Sequence, residues 1–333
     1  MSHPAAPTPV ADGVYRLDTG LNRTNHTAVY LLVDHDELAF VDCGAANSVP
    51  GLLHALSTLG KTPAQVRYIL PTHVHLDHAG GAGALLAACP QAELVIHPRG
   101  RDHLVDPSRL QQGATAVYGE AGFREIYGAL TPAPAARTHS ADEATPLSLG
   151  QRQLHFLDTP GHANHHGCLF DAHSGSLFTG DTFGLSYREF DRADGSPYIL
   201  ATTTPVAFDP ERWRDSLQRM MALDPARVCL THFGALENPQ AHVAQLQASL
   251  DTHVGLALRA EAEVDPAQRP DWLREQLDTQ LSSQAARHSG LAPARCRQLL
   301  ALDIELNAQG LEVWLRRRAK ARDSAGSSPQ PRH

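Results

Sequence analysis

The chain has 333 residues, enough to bury a large core as one domain or as two smaller ones. Its formal charge of -8 at pH 7 argues against a partner gripped through a phosphate backbone, which calls for a basic stripe, so no nucleic-acid partner is expected. The five cysteines, Cys43, Cys89, Cys168, Cys229 and Cys296, are scattered and form no CxxC pair, which argues against a cysteine zinc site or a disulfide framework and fits a reducing compartment.

The opening MSHPAAPTPVADG lacks the basic patch and apolar stretch of a signal peptide. No apolar run approaches the roughly 20 residues of a membrane span, so a cytoplasmic protein without a membrane partner is expected. Residues 14–18, 27–33 and 38–42 are short stretches rich in Val, Leu, Tyr and Phe, which predict an antiparallel opening meander. Helical spacing runs from Val49 to Leu59 and is closed by Gly60. VRYIL (66–70) predicts a strand that ends in PTHVHLDHAGG; a helix over 82–89, a strand over 93–96 and a short helix over 99–105 follow. The polar stretch 106–144, with helical spacing near 114–129, reads as an insertion or cap over the surface. Strands are expected at 153–158, 167–171 and 176–179, then a loop with several aromatics at 182–208, a helix over 210–222 and a strand over 227–230. These boundaries divide the chain into a strand-rich unit at 1–237, a helical segment at 238–320 and a disordered, Ser/Pro-rich tail at 321–333. Leu246 and Leu250 form one apolar helical face, and Leu273, Leu277 and Leu281 another.

The count of 20 histidines invites a search for metal ligands. His35, His54, His173 and His253 sit in polar or helical contexts and are read as surface residues. His73-Val74-His75-Leu76-Asp77-His78 directly follows an apolar strand. In extended chain, alternate side chains share a face, so His73 and His75 reach one spot, with Asp77 beyond them and His78 at the turn. Gly80, Gly81 and Gly83 let the backbone turn behind them. His162, Asp181 and His232 repeat the context, each just beyond an apolar strand and close to glycine. Strand ends on one sheet edge converge on a cleft, and imidazole with carboxylate suits zinc, iron or manganese.

THVHLDHAGG (72–81), TPGHANHHG (159–167), FTGDTFG (178–184) and LTHFG (230–234) together resemble the metallo-β-lactamase superfamily, in order and spacing, over roughly residues 10–235. That resemblance implies an α+β fold, the αββα sandwich, here with a C-terminal helical extension. It implies two divalent metal ions, zinc first, with iron or manganese accepted by the same donors. His73, His75 and His162 would bind the first ion, Asp77, His78 and His232 the second, and Asp181 would bridge both. A hydroxide shared by the ions would be the nucleophile, with Asp77 taking up and relaying its proton. The chain has no cysteine at the Asp181 position, which argues against a β-lactamase with a cysteine ligand. Asp42, ending LAFVDCG, matches an acidic position near the metals and is read as holding a histidine N–H. FGLSYREFD (183–191) and ATTTPVAFDP (201–210) look like a little-characterised prokaryotic subgroup.

The expected activity is hydrolysis of carboxylic esters or lactones, with phosphotriester side activity, on a small-molecule substrate. Phe183 and Tyr187, on the loop after Asp181, are the substrate-contact candidates, Tyr187 as donor to a substrate oxygen. A thioesterase resembling glyoxalase II is the first alternative, and a non-hydrolytic di-iron redox module the second. His26 reads first as a loop or strand-start residue and second as one that lines the cleft, and His165 and His166 read as neighbours of the ligand His162. The C-terminal helices are open to two roles, closing the cleft or forming a homodimer surface.

Overall fold

Alternating apolar side chains sort the first half of the chain into a seven-stranded sheet. The structure, a computed structural model, describes residues 6–203 and 206–326. The strands are β1 (Thr8–Ala11), β2 (Val14–Asp18), β3 (Ala28–Asp34), β4 (Glu37–Val41), β5 (Val66–Leu70), β6 (Glu93–Ile96) and β7 (Thr138–Ser140), neighbouring one another in chain order. Pairing is antiparallel from β1 to β4 and parallel from β4 to β7. Parallel neighbours need crossovers. Here they are α1 (Val49–Thr58), then α2 (Leu76–Ala79) with α3 (Ala82–Ala88), then α4 (Pro98–Val105) with α5 (Ser108–Tyr127).

The second sheet has six strands: β8 (Leu147–Leu149), β9 (Arg152–Asp158), β10 (Gly167–Asp171), β11 (Ser176–Gly180), β12 (Arg227–Leu230) and β13 (Gly234–Glu237). Only β11 and β12 pair in parallel, and α6 (Pro210–Met221) crosses between them. Asp209 caps α6 by accepting from the N–H groups of Glu211 and Arg212, and Pro210 occupies the first turn. Three long helices follow: α7 (Val243–Glu263), α8 (Arg269–Ser289) and α9 (Pro293–Gly326).

The period of two along β3 explains the layering. Tyr30 and Leu32 point between the sheets, where they meet Leu169, Phe178, Cys229 and Phe233. Val29 and Leu31 point outward and pack with Leu52 and Leu56 of α1 and Leu85 of α3. The outer face of the second sheet is covered by α6 and the three C-terminal helices, so four layers stack as the expected αββα sandwich. Leu246, Leu250, Leu273, Leu277 and Leu281 share one core with Phe183, Phe190 and Trp213, so both leucine faces turn inward onto the sandwich. All five cysteines are buried and free.

The 106–144 stretch is more than a surface insertion, because β7 forms within it and adds the edge strand beside β6. Its helix α5 is broken at Gly119, where φ is 71° and ψ 166°. Only glycine holds such a conformation without strain, so two helical pieces meet there at an angle. The tail expected to be disordered from 321 begins as helix, since α9 continues to Gly326. Arg, Lys and Ala are good helix formers and extend the run; residues 327–333 of that tail lie outside the described residues. His253, expected on the surface, is fully buried on α7. Its imidazole lies 2.7 Å from the Ser249 carbonyl through Nδ1 and 3.3 Å from the Asn307 amide through Nε2, which lets a polar ring sit inside. Among the described residues, no helix is long and apolar enough to cross a membrane.

Candidate metal centre

Five strand ends deliver polar side chains to one edge of the sandwich. β4 ends at Asp42; β5 leads into His73, His75, Asp77 and His78; β9 leads to His162, β11 to Asp181 and β12 to His232. Two turns make the approach close. A Cβ on Gly180, where φ is +47°, would lie 2.6 Å from both His166 Nε2 and Thr72 Oγ1. A Cβ on Gly161, where φ is +136°, would lie 2.4 Å from the Trp213 backbone. Both positions therefore demand glycine.

The seven residues singled out as ligands meet in two groups. His73, His75, His162 and Asp181 offer ligand atoms that all lie within 4.8 Å of one another, and Asp77, His78 and His232 do the same. Nε2 of His73 lies 2.8 Å from Nδ1 of His75, and Nε2 of His162 lies 3.2 Å from that same atom. Asp181 stands between the groups: its Oδ2 is 3.3 Å from His162 Nε2, whereas its Oδ1 is 3.2 Å from His78 Nε2 and 3.6 Å from His232 Nε2. Asp77 Oδ2 is 3.1 Å from His232 Nε2 and 3.6 Å from His78 Nε2.

Groups behind the imidazoles fix which nitrogen faces inward. Nδ1 of His78 lies 2.8 Å from Asp42 Oδ2, Nδ1 of His232 lies 2.8 Å from the His26 carbonyl, and Nδ1 of His162 lies 3.1 Å from the Thr202 carbonyl. Each of these acceptors takes a ring N–H, so each Nε2 is the atom turned toward the cluster, where a cation would take its lone pair. Asp42 also accepts from Thr72 N–H at 2.8 Å and from the Thr231 hydroxyl at 2.7 Å, which fixes its orientation toward His78. Of the two histidines beside His162, His166 is fully buried and accepts the Asp181 N–H at 3.2 Å.

Charge in this cluster is tightly matched. Burial, followed by neighbouring imidazoles, holds His73 and His75 well below the usual histidine range, so they are neutral and able to donate lone pairs. Burial alone would lower His78 too, but the carboxylates of Asp181, Asp42 and Asp77 outweigh it and raise His78 well above that range. Burial likewise disfavours charge on Asp181, yet His78, His162 and His232 keep its carboxyl well below the ordinary value.

Nε2 of His78 and Oδ1 of Asp181 are buried and face each other at 3.2 Å, and neither has a partner in hydrogen-bond geometry. Buried polar atoms rarely go unpaired, and converging nitrogen lone pairs repel unless a cation lies among them. The donor set is imidazole nitrogen and carboxylate oxygen, which suits zinc and similar divalent ions. The residues present therefore fit a pair of metal ions.

The cluster opens into a cavity of about 440 Å³. His75, Asp77, Asp181 and His232 lie at its inner end. Leu110, Val117 and Tyr127 come from α5, and Leu302 and Leu306 from α9. Arg109 is the one Lys or Arg among the described lining residues. Tyr187 lines the cavity, but its hydroxyl is engaged: it donates to Asp303 Oδ1 at 3.0 Å and lies 3.3 Å from His26 Nε2. Burial and the Asp303 charge push the Tyr187 hydroxyl well above the ordinary phenol range, so it keeps its proton. Phe183, the other expected substrate contact, is fully buried in the shared core and is absent from the cavity wall, because its ring packs inward from the loop. His26 lines the cavity, the lesser of its two sequence readings, and Asp303 is a lining residue that the sequence did not single out; it sits at an ordinary polar position of LDIELN and carries no motif.

An αββα sandwich with seven histidine and aspartate donors at one edge defines a metal-binding hydrolase-type fold. The chain belongs to the metallo-β-lactamase superfamily: residues 23–232 match the family described as Metallo-beta-lactamase superfamily, whose members are mostly hydrolases. It is 26% identical over 253 residues to the metallo-beta-lactamase fold-containing protein ST1585 of Sulfurisphaera tokodaii, covering 71% of this chain and 88% of that one. The crystal structure of ST1585 matches with a TM-score of 0.61 at 22% identity, over 91% of this chain and 99% of the other. A hydroxyacylglutathione hydrolase of Edwardsiella ictaluri is 28% identical over 266 residues, 74% of this chain and 84% of that one. The acyl-coenzyme A thioesterase MBLAC2 of Gallus gallus is 27% identical over 180 residues, 52% of this chain and 64% of that one.

Proposed function

We propose that this chain is a binuclear metal-dependent hydrolase of carboxylic esters or lactones. The observation that carries the reading is the opening of the seven-donor cluster into a largely apolar cavity. Val117, Val206 and Leu302, three exposed aliphatic side chains, all line that cavity, so a neutral substrate buries apolar surface on entering. His73, His75 and His162 would hold one ion and Asp77, His78 and His232 the other, with Asp181 set between the two groups. Such a pair, zinc being the first candidate, supplies Lewis-acid polarisation of a carbonyl oxygen and brings the pKa of water near neutrality.

The chain's own groups supply the rest. Asp42 and the carbonyls of His26 and Thr202 keep His78, His232 and His162 in the tautomers that face inward. Asp77 lines the cavity and takes the proton released as water attacks, then returns it to the leaving oxygen. Leu76, Val74 and Ala163 line the inner cavity and limit competing water around the carbonyl.

The relatives bearing thioesterase and hydroxyacylglutathione hydrolase names favour a second reading, a thioester substrate. The cavity offers a multiply anionic thioester only Arg109 among its described lining residues, so the neutral substrate ranks first. A panel of aryl ester, lactone, glutathione thioester and phosphotriester, run on metal-loaded protein, tests both. Fastest turnover of ester or lactone is expected; preference for the glutathione thioester reverses the ranking, and no hydrolysis of any member rejects the activity.

A further inference from the structure

The C-terminal helix α9 carries one carboxylate into the cavity, that of Asp303. Its Oδ1 accepts the Tyr187 hydroxyl at 3.0 Å, and among the described residues its Oδ2 accepts no hydrogen bond. Tyr187 is itself clamped. The Arg23 guanidinium lies 4.3 Å from its ring centre and pairs with Glu189 at 2.9 Å, and the His26 ring stacks at 5.3 Å. A clamped donor aims the carboxylate, so its spare oxygen is a preorganised acceptor. Leu302 and Leu306 flank Asp303 on the same wall, and Val117 and Val206 face the same cavity from other segments. An acceptor set among leucines discriminates strongly, because a ligand without a donor leaves the carboxylate desolvated and unpaired.

We propose that Asp303 is a specificity-determining residue, accepting a hydrogen bond from a hydroxyl or amide N–H carried next to the scissile carbonyl. It repels substrates that bear a carboxylate at that position. The preferred class is therefore a neutral ester or lactone with an adjacent donor and an apolar remainder lying against Leu302 and Leu306. The assignment rests on the hydrolase reading above, but ligand choice and hydrolysis are separately measurable.

Three phenyl esters on one carbon skeleton test it: phenyl 2-hydroxyhexanoate, phenyl hexanoate and the phenyl half-ester of butylmalonic acid. Metal-loaded wild type, D303N and D303A are compared by kcat/KM, with folding checked by thermal midpoint. Calorimetric binding of 2-hydroxy-N,N-dimethylhexanamide against N,N-dimethylhexanamide, neither of which has an N–H, gives a readout that needs no turnover. Wild type is expected to favour the hydroxy ester over hexanoate by about tenfold, the worth of one hydrogen bond to a charged acceptor. That ratio collapses toward one in D303A, and falls in D303N too, because the single amide oxygen stays with the Tyr187 hydroxyl and an NH2 replaces the spare acceptor. The half-ester gains in both variants as the like charge is removed. An unchanged ratio in folded D303A overturns the assignment even if every ester is hydrolysed. Conversely, an Asp303-dependent preference between the two amides with no ester hydrolysis supports it while rejecting the activity.

Discussion

Oδ2 of Asp42 lies 2.8 Å from Nδ1 of His78, and both groups are almost wholly buried. The carboxylate fixes the ring so that Nε2 faces Asp77 and Asp181. Asp42→Asn keeps the shape but replaces the charged acceptor with an amide. Affinity for one of two zinc ions is expected to fall by about 10–100-fold, read by competition with a chromophoric chelator. Two ions bound as tightly as in wild type would show that Asp42 does not act through His78.

Chelation and reloading probe the whole cluster. Wild type is expected to hold two divalent ions per chain, to lose ester hydrolysis on chelation and to regain it with zinc. Asp181 faces both donor groups, so Asp181→Asn should lower metal content as well as kcat/KM, the latter by at least about 100-fold. Elemental analysis beside the rate measurement checks this. Full metal content in the variant would contradict a bridging role.

A chain cut after Glu237 is expected not to fold stably. The sequence suggests a catalytic unit at 1–237 and a helical segment at 238–320, but Phe183, Phe190 and Trp213 share their core with Leu246, Leu273 and Leu281. Removing the helices exposes that apolar surface to water, at roughly 25 cal/mol for each Å². Soluble, cooperatively unfolding protein from residues 1–237 would establish an independent domain. A single Leu277→Ala substitution in the full chain should cost about 2–5 kcal/mol, measured by chemical denaturation.

His253 ties stability to pH. Burial lowers its pKa to about 4, against the ordinary 6.5. Above pH 6.5 the ring is neutral in folded and unfolded chains alike, and its neutral form is accommodated. As pH falls from 6.5 to about 4, the unfolded chain takes up the proton first and folding weakens. The loss by pH 4.5 is about 2–3 kcal/mol. His253→Gln should remove this share of the slope when metal-loaded proteins are compared by denaturation at pH 7 and pH 4.5. Equal slopes would mean that the buried ring is protonated without penalty.

Much of the site is legible in the sequence itself. The span His73–His78 is local, so ligand spacing and the strand before it suffice. His162, Asp181 and His232 were legible because each follows an apolar strand beside glycine, and strand ends meet at a sheet edge. Their division between two ions came from resemblance, since periodicity says nothing about which oxygen of Asp181 faces which ring. Phe183 and Tyr187 were indistinguishable as loop aromatics, yet one ring fills the core and the other lines the cavity. The captured Tyr187 hydroxyl was out of reach, because its partner Asp303 sits on a helix whose docking angle no local pattern encodes. His253 fails for the same reason: its companion Asn307 lies on a different helix, so burial follows from how α7 meets α9. β7 is three residues long, too short for its alternation to stand out.

The inner wall of the cavity comes from strand ends, whereas Asp303, Leu302 and Leu306 come from a helix far downstream. Bond-breaking equipment and molecular taste are thus inherited from separate stretches of the gene. Drift or deliberate redesign along one side of that helix can redirect the protein to new compounds while its hydrolytic apparatus stays untouched.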